Sequence, residues 1–278
     1  MSTAPASLHS APARKPTFER RSWLNDIVVD YGPEDVMGRL FLKADTELRA
    51  KGVNFAFAPL EELIAVNKQH SDSWRPILPI FDPDCGGATP ENSFALLGYN
   101  NDGECVTAQA ARIYTLTKNS LKEEIESLRI FYADPERSRL PGERMEVTAP
   151  IADQIDGRVA FVGAVWYRPD FRGRGLVNVM SRAVRAYAYT RWLCDFTFTF
   201  MADSVYSQGV AQRAGYANTD WAIMMHNTPV LRGDVIRAAL VWTTADDEIA
   251  FFRKFLAETD TKVDAVVDNR TADQARVR

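Results

Sequence analysis

The stretch Pro169-Asp170-Phe171-Arg172-Gly173-Arg174-Gly175-Leu176-Val177-Asn178-Val179 constrains the fold more than any other part of the chain. Upstream of it, Val159 to Tyr167 is a nearly unbroken apolar run, the pattern of a strand covered on both faces. Downstream, Leu176, Val179, Met180, Ala183, Val184 and Tyr187 recur at helical spacing, with Arg182 and Arg185 on the other side. Strand, glycine loop and helix in that order bring the unpaired amides of a helix start to the end of a sheet strand. Gly173 and Gly175 allow a tight turn and a close approach of backbone to ligand. The amides and the helix dipole favour an anion there, and Arg172 and Arg174 add charge, so the stretch is expected to cradle a pyrophosphate. Arg-Gly-Arg-Gly also occurs in surface turns and RNA-binding segments; the flanking strand and helix favour the cradle.

At these residues the chain resembles the GCN5-related N-acetyltransferase family, in which a pattern of Arg or Gln, two residues, Gly, one residue, then Gly or Ala binds the pyrophosphate of acetyl-coenzyme A. Arg172, Gly173, Arg174, Gly175 and Leu176 fit that pattern, while Val177 departs from the small residue that normally ends it, and Asn178 follows in the same helix start. The resemblance implies that Val165, Trp166 and Tyr167 form the strand end whose backbone pairs with the pantetheine arm. A second family element is matched by a strand over Phe196 to Met201 and a helix that Asp203-Ser204 is expected to cap and Gly215-Tyr216 to close. Ser204 stands where many members carry an asparagine that touches the pantetheine. Ala211 stands where many carry the tyrosine that protonates the departing thiolate. Tyr206, in the same helix, is the expected replacement for that acid, with Asp203 the other group near the sulfur.

The fold implied is an α/β mixed sheet with helices on both sides, and the function an acyl-coenzyme A-dependent N-acyltransferase, with acetyl-coenzyme A as co-substrate and a small-molecule or protein amine as acceptor. Because Ala211 and Val177 depart from the family pattern, a catalytically inactive acyl-coenzyme A sensor is the alternative. An RNA-contacting loop is a third reading, disfavoured by a net charge of −4, and no nucleic-acid partner is expected.

The rest of the chain agrees in element order. A helix from Pro33 to before Gly52 carries Met37, Leu40, Phe41, Ala44 and Leu48 on one face, and another is expected from Leu60 to Lys68. Trp74 to Gly87 is too rich in proline and glycine for regular structure and is a candidate wall of the acceptor pocket. Phe94 to Tyr99 and Glu104 to Tyr114 form a hairpin around Asn100-Asn101-Asp102-Gly103. Ser120 to Glu123 is a capping box, expected to open an inserted helix that runs to Pro135 and packs on the sheet. A strand over Ile236 to Trp242 and a helix from Thr244 extend the C-terminus.

The expected organisation is a disordered leader over residues 1–20, one domain over 21–257 with its motif core at 158–216, and a disordered tail over 258–278. The three histidines, His9, His70 and His226, lack a second ligand at metal spacing, so no metal is expected, and His70 reads as a solvated helix end. Three cysteines suit a reducing compartment, and no apolar segment reaches membrane-spanning length, so a cytoplasmic protein without a membrane partner is expected.

Overall fold

The computed structural model describes residues 22–230 and 235–258; apart from Glu258, the expected leader and tail lie outside the described residues. Helix α1, Glu34–Ala50, buries Val36, Met37, Leu40, Phe41, Ala44 and Leu48, and stops where Gly52 takes a φ of +77°. Helix α2 spans Leu60–Gln69 after Pro59. Between the two helices, where the expected order ran from helix directly to helix, residues Asn54–Ala58 form strand β1. Five residues are too few for their alternation to stand out against a neighbouring helix pattern.

Strands β2, Ser93–Tyr99, and β3, Cys105–Leu116, form the expected hairpin. The Asn100 amide donates to the Glu104 carbonyl at 3.0 Å, and Gly103 sits at φ +81°. The capping box is present: Ser120 Oγ accepts from the Glu123 amide at 3.3 Å and Glu123 Oε2 from the Ser120 amide at 2.9 Å. Its helix, α3, covers only Leu121–Glu126 instead of running to Pro135. Leu128 turns left-handed at φ +64°, which ends the helix, and Leu128, Ile130, Phe131 and Tyr132 enter the core from irregular backbone. A short helix α4, Pro135–Ser138, and strand β4, Arg144–Val147, complete the insertion, which packs on the sheet and also lengthens it.

Strand β5 is Gly157–Tyr167, helix α5 Leu176–Trp192 and strand β6 Phe196–Ala202. The helix expected after β6 is broken by Gly209, at φ +70°, into α6, Asp203–Tyr206, and α7, Val210–Ala214. Asp203 and Ser204 do not cap it. Ala202 is the residue before α6 and makes no capping bond, while Asp203 Oδ2 lies 3.5 Å from Arg237 Nη1. Strands β7, Asn218–His226, and β8, Val235–Thr244, precede helix α8 over residues 245–258, whose start is held by Thr244 Oγ1 accepting from the Asp247 amide.

The eight strands lie in the order β1-β2-β3-β5-β6-β8-β7-β4, antiparallel throughout except for β5 and β6. Helices α1, α5 and α8 cover one face, around Trp23, Met37, Val162, Met180, Val184 and Phe252. The other carries α2, α3 and the irregular segment 74–87, around Leu63, Phe81, Ile125, Phe161 and Phe198. That segment has one short 3-10 turn, Pro79–Phe81, and its buried carbonyls need donors. Buried Arg112 supplies them, with Nη1 donating to the carbonyls of Ile80 and Gly86 at 2.7 Å each and Nη2 to Gly87 at 3.2 Å.

Candidate functional site

The parallel pairing of β5 with β6 covers Val159, Ala160 and Phe161 against Phe196, Thr197 and Phe198, and goes no further. Beyond it β5 stays with β3 and β6 with β8, so the two strands part into a wedge. A bulge reshapes β5 on the way. Ala108 pairs with Trp166 but Ala110 with Gly163, leaving an extra residue on β5, and Ala164 takes a φ of +51°. Val165, just past the bulge, is 44% exposed, and Val205, beyond the end of β6, is 41% exposed. Both diverging strands therefore end beside a bare apolar side chain.

After Tyr167 the chain makes a 3-10 turn over Pro169–Phe171 and passes through Gly173 at φ +75° and Gly175 at φ +71° into α5. Left-handed φ is the reason both positions are glycine. A methyl on Gly173 would meet nothing within 4 Å, and one on Gly175 would meet only Lys51 Nζ at 4.0 Å, so the space over the loop is open. The Asn178 amide donates to the Gly175 carbonyl at 3.2 Å, whereas the amides of residues 173–177 have no backbone acceptor among the described residues. Asn178 Oδ1 is buried without a partner. Open space, a row of unsatisfied amides and the start of a long helix fit a diphosphate.

The arginines brace this loop. Arg172 Nε donates to the Tyr167 carbonyl at 3.0 Å and Nη2 to the Ser73 carbonyl at 3.2 Å. Arg174 Nη2 donates to the Asp170 carbonyl at 3.0 Å, with its guanidinium 4.0 Å from the centre of the Phe171 ring. Arg168 bridges Glu104 and Asp170, and its hydrogen bonds hold both carboxyls below their ordinary range. Leu176 is buried and Val177 half-buried in the first turn of α5. The expected charge of Arg172 and Arg174 is thus present, with the donors named above committed to carbonyls.

Trp166 and Tyr167 leave β5 on opposite faces. Trp166 stacks on Trp74 with ring centres 5.2 Å apart and planes 8° apart, and its Nε1 donates to Ser73 Oγ at 3.3 Å. His70, read from the sequence as a solvated helix end, is half-buried, its ring centre 4.5 Å from that of Trp166. Tyr167 packs with the α1 and α5 side; its hydroxyl is buried without a partner, and burial pushes its pKa up. Across the wedge, Ser204 is exposed, and its carbonyl accepts from Gln208 Nε2 at 2.7 Å. The Tyr206 ring meets Trp221 edge-on, centres 5.2 Å apart, and its hydroxyl makes no hydrogen bond among the described residues. Ala211 is buried between Met201, Ala239 and Val241.

Lys51 is the residue at this loop that sequence spacing does not reveal, since only the packing of α1 against α5 brings it there. A cavity of about 540 Å³ lined by Phe57, Ser93, Phe94, Tyr187 and Arg191 lies at the other end of α5, about 20 Å along the helix from the glycine loop, and is separate from the site. No group of three or more His, Cys, Asp or Glu side chains among the described residues could hold a metal ion.

No family model matches the chain, and no curated protein matches it in sequence. Similar solved structures include NAA60 from Arabidopsis thaliana in complex with acetyl-CoA, 11% identical over 70% of this chain and 99% of that one, with a TM-score of 0.45. The same Arabidopsis protein with a bisubstrate analogue is 14% identical over 69% of this chain and 98% of that one, TM-score 0.41. Spermidine N-acetyltransferase from Vibrio cholerae is 7% identical over 69% of this chain and 94% of that one, TM-score 0.41. Values this low say nothing about activity. The mixed sheet with helices on both faces and the glycine loop opening α5 make up the fold expected from the sequence resemblance.

Proposed function

We propose that the chain is an acyl-coenzyme A-dependent N-acyltransferase that passes an acetyl group to a primary amine, of a small molecule or a protein, by direct attack. The observation that carries this reading is the wedge between β5 and β6 opening beside the unsatisfied amides of residues 173–177. An extended arm in the wedge would pair with the backbone of Val165, Trp166 and Tyr167, pack on exposed Val165 and Val205, and reach Ser204 on the other side. Its diphosphate would meet the amides of Gly173, Arg174, Gly175, Leu176 and Val177, with the side-chain NH2 of Asn178 as a further donor and Arg172 holding the loop in shape. Acyl-coenzyme A supplies a thioester whose carbonyl carbon is open to a nucleophile. Holding an amine beside that carbon removes much of the entropic barrier. The nitrogen lone pair forms the new C–N bond and the C–S bond breaks; the nitrogen gives up one proton to solvent, and the sulfur takes one from the Tyr206 hydroxyl, the proposed donor, which solvent reprotonates. A cytoplasmic setting belongs to the same proposal; no helix among the described residues is long and apolar enough to cross a membrane.

Calorimetric titration tests the site. Wild type is expected to bind acetyl-coenzyme A, and Arg172→Ala with Gly175→Glu to abolish binding, because a carboxylate would then occupy the anion's place. No binding by wild type at micromolar protein would sink the proposal. Buried Ala211, which brings no hydroxyl to the position the family uses for its acid, favours one second reading, a sensor; binding without thiol release across an amine panel would establish it. Tyr206→Phe keeps the ring on Trp221 and removes only the hydroxyl. The expected result is a fall in kcat of about 10²-fold or more at unchanged affinity for acetyl-coenzyme A, whereas an unchanged kcat removes Tyr206 from the chemistry.

A further inference from the structure

We infer that Lys51 is a ligand of the diphosphate in the proposed acyl-coenzyme A site, a contact that lies outside the glycine motif; the inference rests on the reading above. Lys51 stands at the end of α1 on a rigid base. Its amide and that of Val53 both donate to the Leu48 carbonyl at 2.9 Å, and the Gly52 amide donates to Arg49 at 2.9 Å. Val53 is fully buried, and its Cγ1 would stand 2.6 Å from a methyl placed on Gly98. From this base the ammonium reaches 4.0 Å from the place a Gly175 Cβ would take, at the residue that precedes α5.

Charge supplies the rest. A bound diphosphate brings about two negative charges, which the helix start offsets by roughly half a charge and the exposed Arg172 and Arg174 guanidinium groups offset further, although the donors they show are turned to carbonyls. Arg168 is paired with two carboxylates, and Arg172 and Arg174 donate to carbonyls of the loop and of Ser73. Lys51 Nζ makes no ion pair or hydrogen bond among the described residues, and it is the one atom, beyond the flanking residues, within 4 Å of the place a Gly175 Cβ would take. An ammonium there supplies a full charge and rotatable donors to a phosphate oxygen. The competing role for a lysine after a helix end, complementing that helix's dipole, would change stability and leave affinity alone.

The test titrates wild type, Lys51→Met and Lys51→Arg with coenzyme A and with dephospho-coenzyme A, which keeps the diphosphate and lacks the 3′-phosphate. Lys51→Met is expected to weaken both ligands equally, by about 10- to 100-fold, with the melting temperature unchanged and the loss shrinking at high salt. Lys51→Arg is expected to recover most of the affinity. Equal affinity in Lys51→Met and wild type overturns the inference, as does a loss confined to coenzyme A, which would move Lys51 to the 3′-phosphate. A lowered melting temperature at unchanged affinity assigns it to the α1 dipole instead. If wild type binds neither ligand, the acyl-coenzyme A reading itself has failed, and that is seen before any variant is compared.

Discussion

Gly215→Ala is expected to destabilise the protein by about 2–6 kcal/mol, the sum of left-handed backbone strain and overpacking. Gly215 closes α7 at φ +82°, a conformation that costs an L-residue energy even in open space. Here the space is also taken, since an added methyl would lie 1.7 Å from Cζ and 1.9 Å from Cε1 of Phe251 on α8. Both contacts are with the outer edge of a half-buried ring, so helix or ring must move. Denaturant unfolding should show an earlier midpoint at unchanged slope. Phe251→Ala should cost less in the Gly215→Ala background than in wild type, because the clash it removes is present only there. A loss below about 1 kcal/mol would mean that α8 does not sit against α7 as described.

Arg185→Met is the second large effect. Arg185 and Glu248 are buried together, 0% and 2% exposed, with Nη1 3.1 Å from Oε2. The Nη2 of Arg185 also donates to the carbonyls of Ala214 at 2.8 Å and Gly215 at 3.2 Å, so one guanidinium ties α5, α7 and α8. Breaking a buried pair from one side typically costs about 3–5 kcal/mol, because the partner's charge is left behind. The cost should depend on pH. Burial pushes Glu248 up to about 7 from an ordinary value of 4.5, with Arg185 and then Arg182 pulling the other way. A carboxyl whose folded pKa is raised stabilises the fold below its unfolded pKa, and that contribution is lost as pH rises through the folded pKa. In wild type this loss runs between about pH 4.5 and 7. Without Arg185 the folded pKa climbs further, so the loss continues above pH 7. Unfolding at pH 5.5 and pH 8 should therefore show Arg185→Met closer to wild type at the lower pH, and a cost equal at both would refute this account of the pair. Adding Glu248→Leu should recover much of the loss at pH 8.

Local chemistry made much of this fold readable in advance. The glycine loop was legible because left-handed φ at Gly173 and Gly175 is written in residue type, and β5 and α5 because burial imposes a period on each. The hairpin turn and the capping box were legible for the same reason, as short-range hydrogen-bond patterns with fixed spacing. Misreadings came where distant contacts decided. The stripe of Leu128 and Phe131 continues that of α3, but the residues reach the core without a helix. Asp203, a good capping residue by type, has Arg237 of β8 beside it instead. Lys51 could not have been found from spacing, because its place over Gly175 depends on how α1 lies on α5. For the same reason His70 looked like a solvated helix end until β5 brought Trp166 to it.

Three residue pairs weld β1-β2-β3-β5 to β6-β8-β7-β4, so in mechanical terms the sheet is two stiff plates joined along a short hinge line. Bending at that line changes the opening angle of the wedge while hardly disturbing either plate's own ladder. The brace against such bending sits off the sheet: α5 leaves one plate and enters the other, and Arg185 bolts it to α8, which follows the last strand of the second plate. The ion pair on the helical layer therefore braces the gap from outside the sheet, beside the packing of α5 on β3 and α1.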